Sequence, residues 1–381
     1  MIYLDNAAST WPKPPKVSDA VKKAIDEFGA NPGRGGHQLA VKASQTIEET
    51  RRKLAQLFGV RDPNHLLFCY NTTHALNMAI KGILRPGDHV IITGWEHNAV
   101  ARPVYWLEKE AKVHVTVVDG QDERVDWPSL VKEQIRAETR MMITIHGSNV
   151  TGEVLPIVEI GEIAKKHGII YLVDAAQTAG LLSFHLDEMP IDMVAFPGHK
   201  SLFGPQGTGG LYVNPEVPLH PLIQGGTGNR SEEVEQPLDR PYGYESGTPN
   251  TPGIAGLGAG IDFIIQTGLT EIYQHEYELT RQLWEGLQTI EGVSVLTSSV
   301  PALPIVSFNM ENVDGIEVAT ILDQHYQIAV RAGFHCAALK HRSLKTEHGA
   351  VRVSPGYFNT KEQIDAFIDA IREISAAFKH K

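Results

Sequence analysis

Seven short apolar or β-branched runs, at residues 66–70, 89–93, 113–118, 141–145, 169–173, 193–196 and 210–213, constrain this chain more than any other feature. Segments of helical periodicity separate most of them; Ile47, Arg51, Leu54 and Phe58 mark one such stripe before the first run. A strand that is apolar on both faces must be covered on both faces. Alternation of such strands with helices therefore predicts an α/β fold, with a mainly parallel seven-stranded sheet sandwiched by helices. In sheets of this kind, ligands collect beyond the carboxyl ends of the strands.

After about residue 255 the pattern changes. A long amphipathic helix is expected over 271–290, with Leu279, Leu283, Leu287 and Ile290 on one face. Strands are expected at 293–296, 305–309, 328–331 and 350–353. Thr360, with Gln363 three residues on, resembles a capping box that starts a final helix with the stripe Ile364, Phe367, Ile368, Ile371 and Ile374. The expected organisation is a large domain over 15–255, and a smaller α+β domain made of 1–14 and 256–381. A long loop is expected at 225–235.

With 381 residues and a net charge of −11, the chain is a poor match for nucleic acid or an anionic membrane as main partner. Two cysteines, Cys69 and Cys336, imply no disulfide framework. The first residues lack the basic start and apolar core of a signal peptide, and no apolar run reaches the length of a membrane span. A cytoplasmic location is the expectation.

Two of the apolar runs lead into residues that invite a chemical explanation. One ends at Asp174; the next leads through Pro197-Gly-His to Lys200 and a glycine-rich turn. A strand-end acid followed by a strand-end lysine suits pyridoxal phosphate: the lysine forms a Schiff base, and the acid keeps the pyridine nitrogen protonated. Asn71, Thr72 and Thr73 lie at the start of a predicted helix, where backbone N–H groups and hydroxyls can hold a phosphate. Alone the signal is weak, because Thr before a helix is more often just an N-cap. His199 could add a phosphate contact, and His97 could stack on a ring or move a proton. Most of the 17 histidines need no such role. Asn149 suits a bond to a carboxylate or a ring oxygen, or simply a turn.

These residues fall in an ordered set. Tyr3-Leu-Asp-Asn-Ala-Ala-Ser9, Arg34-Gly-Gly-His37, Thr72-Thr73, Glu96-His97 and Ser148-Asn149-Val150 are followed by Asp174-Ala-Ala-Gln177 and Gly198-His-Lys200. Glu245-Ser-Gly-Thr-Pro-Asn250, Arg331-Ala-Gly-Phe-His-Cys336, Arg352 and Tyr357-Phe-Asn-Thr360 complete it. Nearly end to end, the chain resembles the class V aminotransferases, fold-type-I pyridoxal phosphate enzymes, and most closely their cysteine desulfurase and selenocysteine lyase branch. The resemblance implies that Lys200 bonds the cofactor, Asp174 pairs with its pyridinium, Gln177 bonds the ring hydroxyl and His97 stacks on the ring. It implies phosphate contacts from Thr72, Thr73 and His199, with Thr248 reaching the site from the partner subunit of a homodimer. Asn149, Arg352 and Arg34 would bind substrate, Arg352 through bidentate geometry on the carboxylate. No metal is implied.

Cys336 separates the family's activities. In desulfurases of the family, a cysteine in Arg-x-Gly-x-x-Cys-Ala takes the substrate's sulfur as a persulfide, and Arg331 to Ala337 matches that pattern. A thiolate is required, which His335 could favour. Cys69 lies inside an apolar run and reads as inert. Removal of sulfur from L-cysteine to give L-alanine, with possible selenocysteine lyase activity and a sulfur- or selenium-acceptor protein, is the implied function. Another class V reaction (transamination, epimerisation or C–S lysis) and a non-enzymatic docking role stay open. Pro197 stands where the family usually has Ser or Thr, and the proline common just after the cysteine is absent.

Overall fold

The structure, a computed structural model, describes residues 1–33, 36–120, 122 and 124–379. A short strand β1 (Ile2–Tyr3) and helices α1 (Pro15–Phe28) and α2 (Gln38–Phe58) come first. The large sheet then takes β2 (Leu66–Cys69), β3 (His89–Thr93), β4 (His114–Val118), β5 (Thr139–Ile145), β6 (Ile170–Asp174), β7 (Met193–Pro197) and β8 (Gly209–Val213). Helices α3 (Thr72–Ile83), α4 (Asn98–Ala111), α5 (Trp127–Glu133) and α6 (Ile157–Lys166) join successive strands from β2 to β6. The sheet order is β2-β8-β7-β6-β5-β3-β4, with β8 antiparallel to both neighbours and every other pairing parallel. Because β8 reverses, β2 still runs with β3, β5, β6 and β7, and the carboxyl ends of these five strands share one edge.

Period-two alternation builds the layers. Val90, Ile92, Met141, Ile143, Leu172 and Ala195 pack with α3 and α4, while Ile91, Met142, Tyr171, Val173 and Phe196 pack with α2, α5 and α6. The first runs therefore form strands within two residues of their expected bounds.

The rest of the chain makes α7 (Thr251–Thr267), α8 (Leu269–Gln288), β9 (Val293–Val295), β10 (Val306–Met310), α9 (Gly315–Tyr326) and β11 (Ile328–Ala329). It continues through β12 (Arg331–Gly333), α10 (Ala338–Ser343), β13 (Ala350–Val353) and α11 (Lys361–Phe378). A four-stranded antiparallel sheet of order β12-β13-β10-β9 packs through Val306, Phe308, Val351 and Val353 on Leu279, Leu283, Leu287 and the Ile364 to Ile374 stripe. Thr360 and Gln363 form the expected capping box.

Three details differ from the sequence expectation. Gly268, at φ 95°, breaks α7 from α8, so α8 spans 269–288 rather than 271–290. The run at 328–331 is two strands: β11 pairs in parallel with β1, whereas β12 pairs with β13. Leu257, Ile261 and Ile264 of α7, expected in the small domain, join the large sheet's core.

Candidate active site

The shared strand edge opens on a cavity of about 200 Å3 whose wall includes Thr72, His97, Asn149, Asp174, Lys200 and, from the small sheet, Arg331, Cys336 and Arg352. Each large-sheet residue arrives just past a strand end, as the topology requires.

Lys200 sits in the turn between β7 and β8. Gly198 starts that turn; a Cβ there would lie 2.1 Å from Thr208 Oγ1, so only glycine permits this close approach. The N-terminal segment braces it: Thr10 Oγ1 donates to the Lys200 carbonyl at 3.0 Å, and Lys13 Nζ to the His199 carbonyl at 2.6 Å. Burial, helped by Arg352, lowers the Lys200 amine to about 8, against the pull of Asp174. Asp174 ends β6 almost without solvent exposure, and its carboxylate accepts from Ala176 N at 2.9 Å. Burial raises that carboxyl to about 6, with the Ala176 bond and Lys200 opposing it.

His97 caps α4, its Nδ1 accepting from Ala99 N at 3.0 Å. A neutral ring so held carries its proton on Nε2. Burial, then Lys200 and the arginines, lowers His97 to about 4, so the ring is uncharged at neutral pH. Asn71 caps α3 by accepting from His74 N, leaving Thr72 and Thr73 at a helix start that faces the cavity. His199 is half-buried and lowered to about 4 by burial and Lys200, and its Nδ1 has no hydrogen-bond partner. Gln177 lines the cavity while its Nε2 donates to Ala7 O at 3.2 Å.

The opposite wall is cationic. Arg331 and Arg352 face each other across β12 and β13 and both reach the cavity. Like charges in that register repel; Asp5 neutralises one by accepting from Arg352 Nη2 at 2.9 Å. Arg352 also donates to Asn149 O at 3.0 Å. Asn149 gives one of its two amide N–H groups to His335 O at 2.7 Å, and its Oδ1 is a buried acceptor without a hydrogen-bond partner. Oδ1 can therefore accept from a donor such as a hydroxyl, the second amide N–H can still reach an acceptor such as a carboxylate, and the arginines supply the carboxylate's charge partners.

Cys336 is exposed and lies between β12 and α10, the second of two successive left-handed residues, His335 (φ 48°) and Cys336 (φ 57°). Arg331 Nη2 stands 3.8 Å from its sulfur. His335 does not favour the thiolate as the sequence suggested: burial, then Arg352, lowers its imidazole to about 2, so it carries no positive charge. The neighbouring cation is Arg331. Cys69 is the contrast, buried in β2 with its thiol pushed up by burial.

Arg331, Asp5 and Lys13 were not singled out as site residues by the sequence. Arg331 carried a signal as the first residue of the cysteine motif, and Asp5 as part of the Tyr3 to Ser9 motif; Lys13 carried none. Thr248 lies off this cavity, in another of about 490 Å3 that Gly226 and Asn229 also line. Arg34 is outside the described residues.

The α/β fold is that of the fold-type-I pyridoxal phosphate-dependent enzymes. The chain belongs to the class-V aminotransferase family, whose model matches residues 2–367. It is 37% identical to a probable cysteine desulfurase of Methanothermobacter thermautotrophicus, over 98% of this chain and 94% of that protein. It is 31% identical to a cysteine desulfurase of Yersinia pseudotuberculosis, over 98% and 93%. The apo structure of a cysteine desulfurase from Thermococcus onnurineus superposes with a TM-score of 0.90 at 32% identity, covering 99% of this chain and 95% of that one.

Proposed function

We infer that the protein is a pyridoxal phosphate-dependent cysteine desulfurase that converts L-cysteine to L-alanine and holds the released sulfur on Cys336. The observation that carries this reading is the exposed Cys336 thiol on the wall of the cavity that also holds Lys200, Asp174 and Arg352.

The residues fit the cofactor. A buried acid with a raised proton affinity suits a pyridine nitrogen, an uncharged His97 suits a ring face, and the α3 start with the unpartnered His199 Nδ1 suits a phosphate. Asp174, Gln177, His97, Thr72, Thr73, His199 and Lys200 would hold it, with Thr248 of the partner subunit completing the phosphate site in a homodimer. Bound there, pyridoxal phosphate supplies an electron sink for charge developed at the substrate's α-carbon.

The chain's own groups do the rest. Arg352 and Arg331 orient the substrate carboxylate, and the burial of Arg352 strengthens its attraction. Lys200, with an amine lowered to about 8, is suited to take the α-proton and return protons to the product. His97 is not, because Nδ1 is already an acceptor and Nε2 carries the ring's proton. The Cys336 thiolate forms an S–S bond to the substrate sulfur as the C–S bond breaks. The electron pair stays with carbon, which takes a proton to become the methyl group of alanine. A thiol reductant or an acceptor protein then removes the sulfur. Cys336 must be reduced to react, which favours the cytoplasm.

Replacement by Cys336→Ala tests this. Sulfide release from cysteine should fall at least about 100-fold while cofactor absorbance stays unchanged. Undiminished release would contradict the persulfide step.

A further inference from the structure

Lys340 is fully buried, on the helix that begins two residues after Cys336. Its ammonium lies 3.5 Å from the ring centroid of Trp95 and 3.3 Å from Glu153 Oε2. Both partners belong to the large-sheet side. Trp95 is wholly buried, donates to Gly120 O at 2.8 Å, and precedes Glu96 and His97 in the chain. Glu153 lies four residues after Asn149, in a turn closed by Ser148 N donating to its carbonyl at 2.9 Å. A buried ammonium is tolerated only when paired, so this one fixes where α10 can sit.

Two further bonds join the same segment to the same loops. Asn98 N donates to Cys336 O at 2.7 Å, and Asn149 Nδ2 to His335 O at 2.7 Å. Both act before α10; Lys340 acts after Cys336. The left-handed turn at His335 and Cys336 is thus tied on both sides to the loops that carry His97 and Asn149. Such a turn is costly for non-glycine residues and persists only when its surroundings over-determine it.

We propose that Lys340 is a positioning residue for sulfur transfer: its ammonium, seated on Trp95 and paired with Glu153, holds the Cys336 sulfur at the cavity. The proposal rests on Cys336 being the sulfur acceptor. Lys340 touches neither substrate nor cofactor and acts through the backbone of the cysteine segment.

The test separates position from chemistry in the cofactor-loaded enzyme. In Lys340→Met, single-turnover formation of the Cys336 persulfide should slow by at least about 10-fold, as misplacing a reacting group by an ångström can do. Deuterium exchange at the α-carbon of alanine, which needs Lys200 but no thiol, should stay within about twofold of the unaltered enzyme. The rate of Cys336 alkylation by iodoacetamide should also change, as a readout independent of turnover. Because Lys340→Met removes an ion-pair partner of the buried Glu153, Lys340→Met/Glu153→Gln serves as the second variant and should show the same split. Equal losses in exchange and persulfide formation would mark Lys340 as merely structural and overturn the proposal. Unchanged persulfide formation and alkylation in the double variant would overturn it too. If Cys336→Ala itself still released sulfide, the functional reading would fail, while the alkylation rate would still decide whether Lys340 sets the thiol's position.

Discussion

The two walls of the cavity are built differently. The lysine wall hangs from the ends of long buried strands, with Asp174 closing β6 and Lys200 held in a turn that tolerates only glycine at 198. The cysteine wall hangs from the three-residue strand β12 and a strained turn, and depends on ties reaching across from the other side. One wall inherits its geometry from the sheet; the other has it imposed by contacts. The walls also differ in charge: the acid Asp174 is on one, and the paired Arg331 and Arg352 are on the other. The two cysteines repeat the contrast, since the same thiol is inert inside β2 and open to the cavity past β12.

Substitutions on the two walls should therefore have different signatures. Lys200→Ala removes the cofactor's covalent partner and the proton carrier together. It should abolish alanine exchange and sulfur release alike, by more than about 10³-fold, and erase the visible absorbance of the cofactor-bound lysine. Retained exchange would break the assignment of the lysine wall. Cys336→Ala should spare exchange and lose only sulfur transfer, which separates the walls functionally.

Asp174→Asn gives the smallest effect, read on the apoprotein. Burial raises the Asp174 carboxyl from 3.8 to about 6, so the folded state holds a proton that the unfolded chain has released. Its contribution to stability is full below the unfolded value and is lost as pH rises through about 6. Apoprotein Asp174→Asn should accordingly be more stable than the unaltered apoprotein at pH 8 by ~1–3 kcal/mol, and not at pH 3. Denaturant melts at both pH values check this; a less stable variant at pH 8 would show that Asp174 is not a strained acid awaiting a cation.

Much of the lysine wall was legible because its cues are local. Short continuous apolar runs place the strands within a residue or two, and topology alone brings their ends together. The cysteine wall was legible only as a motif. Nothing local says that Val330 separates two strands with different partners, or that Arg331 faces Arg352 across twenty residues of chain. Nor does the sequence show that Asn149 turns its donor to His335, or that burial strips His335 of charge. Those facts depend on long-range packing. Lys340, a charged residue in a short helix, reads as surface until Trp95 and Glu153 are seen against it.

The central claim is that the two walls divide the reaction, with the sulfur leaving on Cys336. Reacting the reduced, cofactor-loaded enzyme with one equivalent of sulfur-labelled L-cysteine and mapping the label by peptide mass spectrometry tests it most directly. The account predicts one extra sulfur atom on the Cys336 peptide and an equal amount of alanine. Label on Cys69, free sulfide with Cys336 unmodified, or a ketoacid in place of alanine would contradict it.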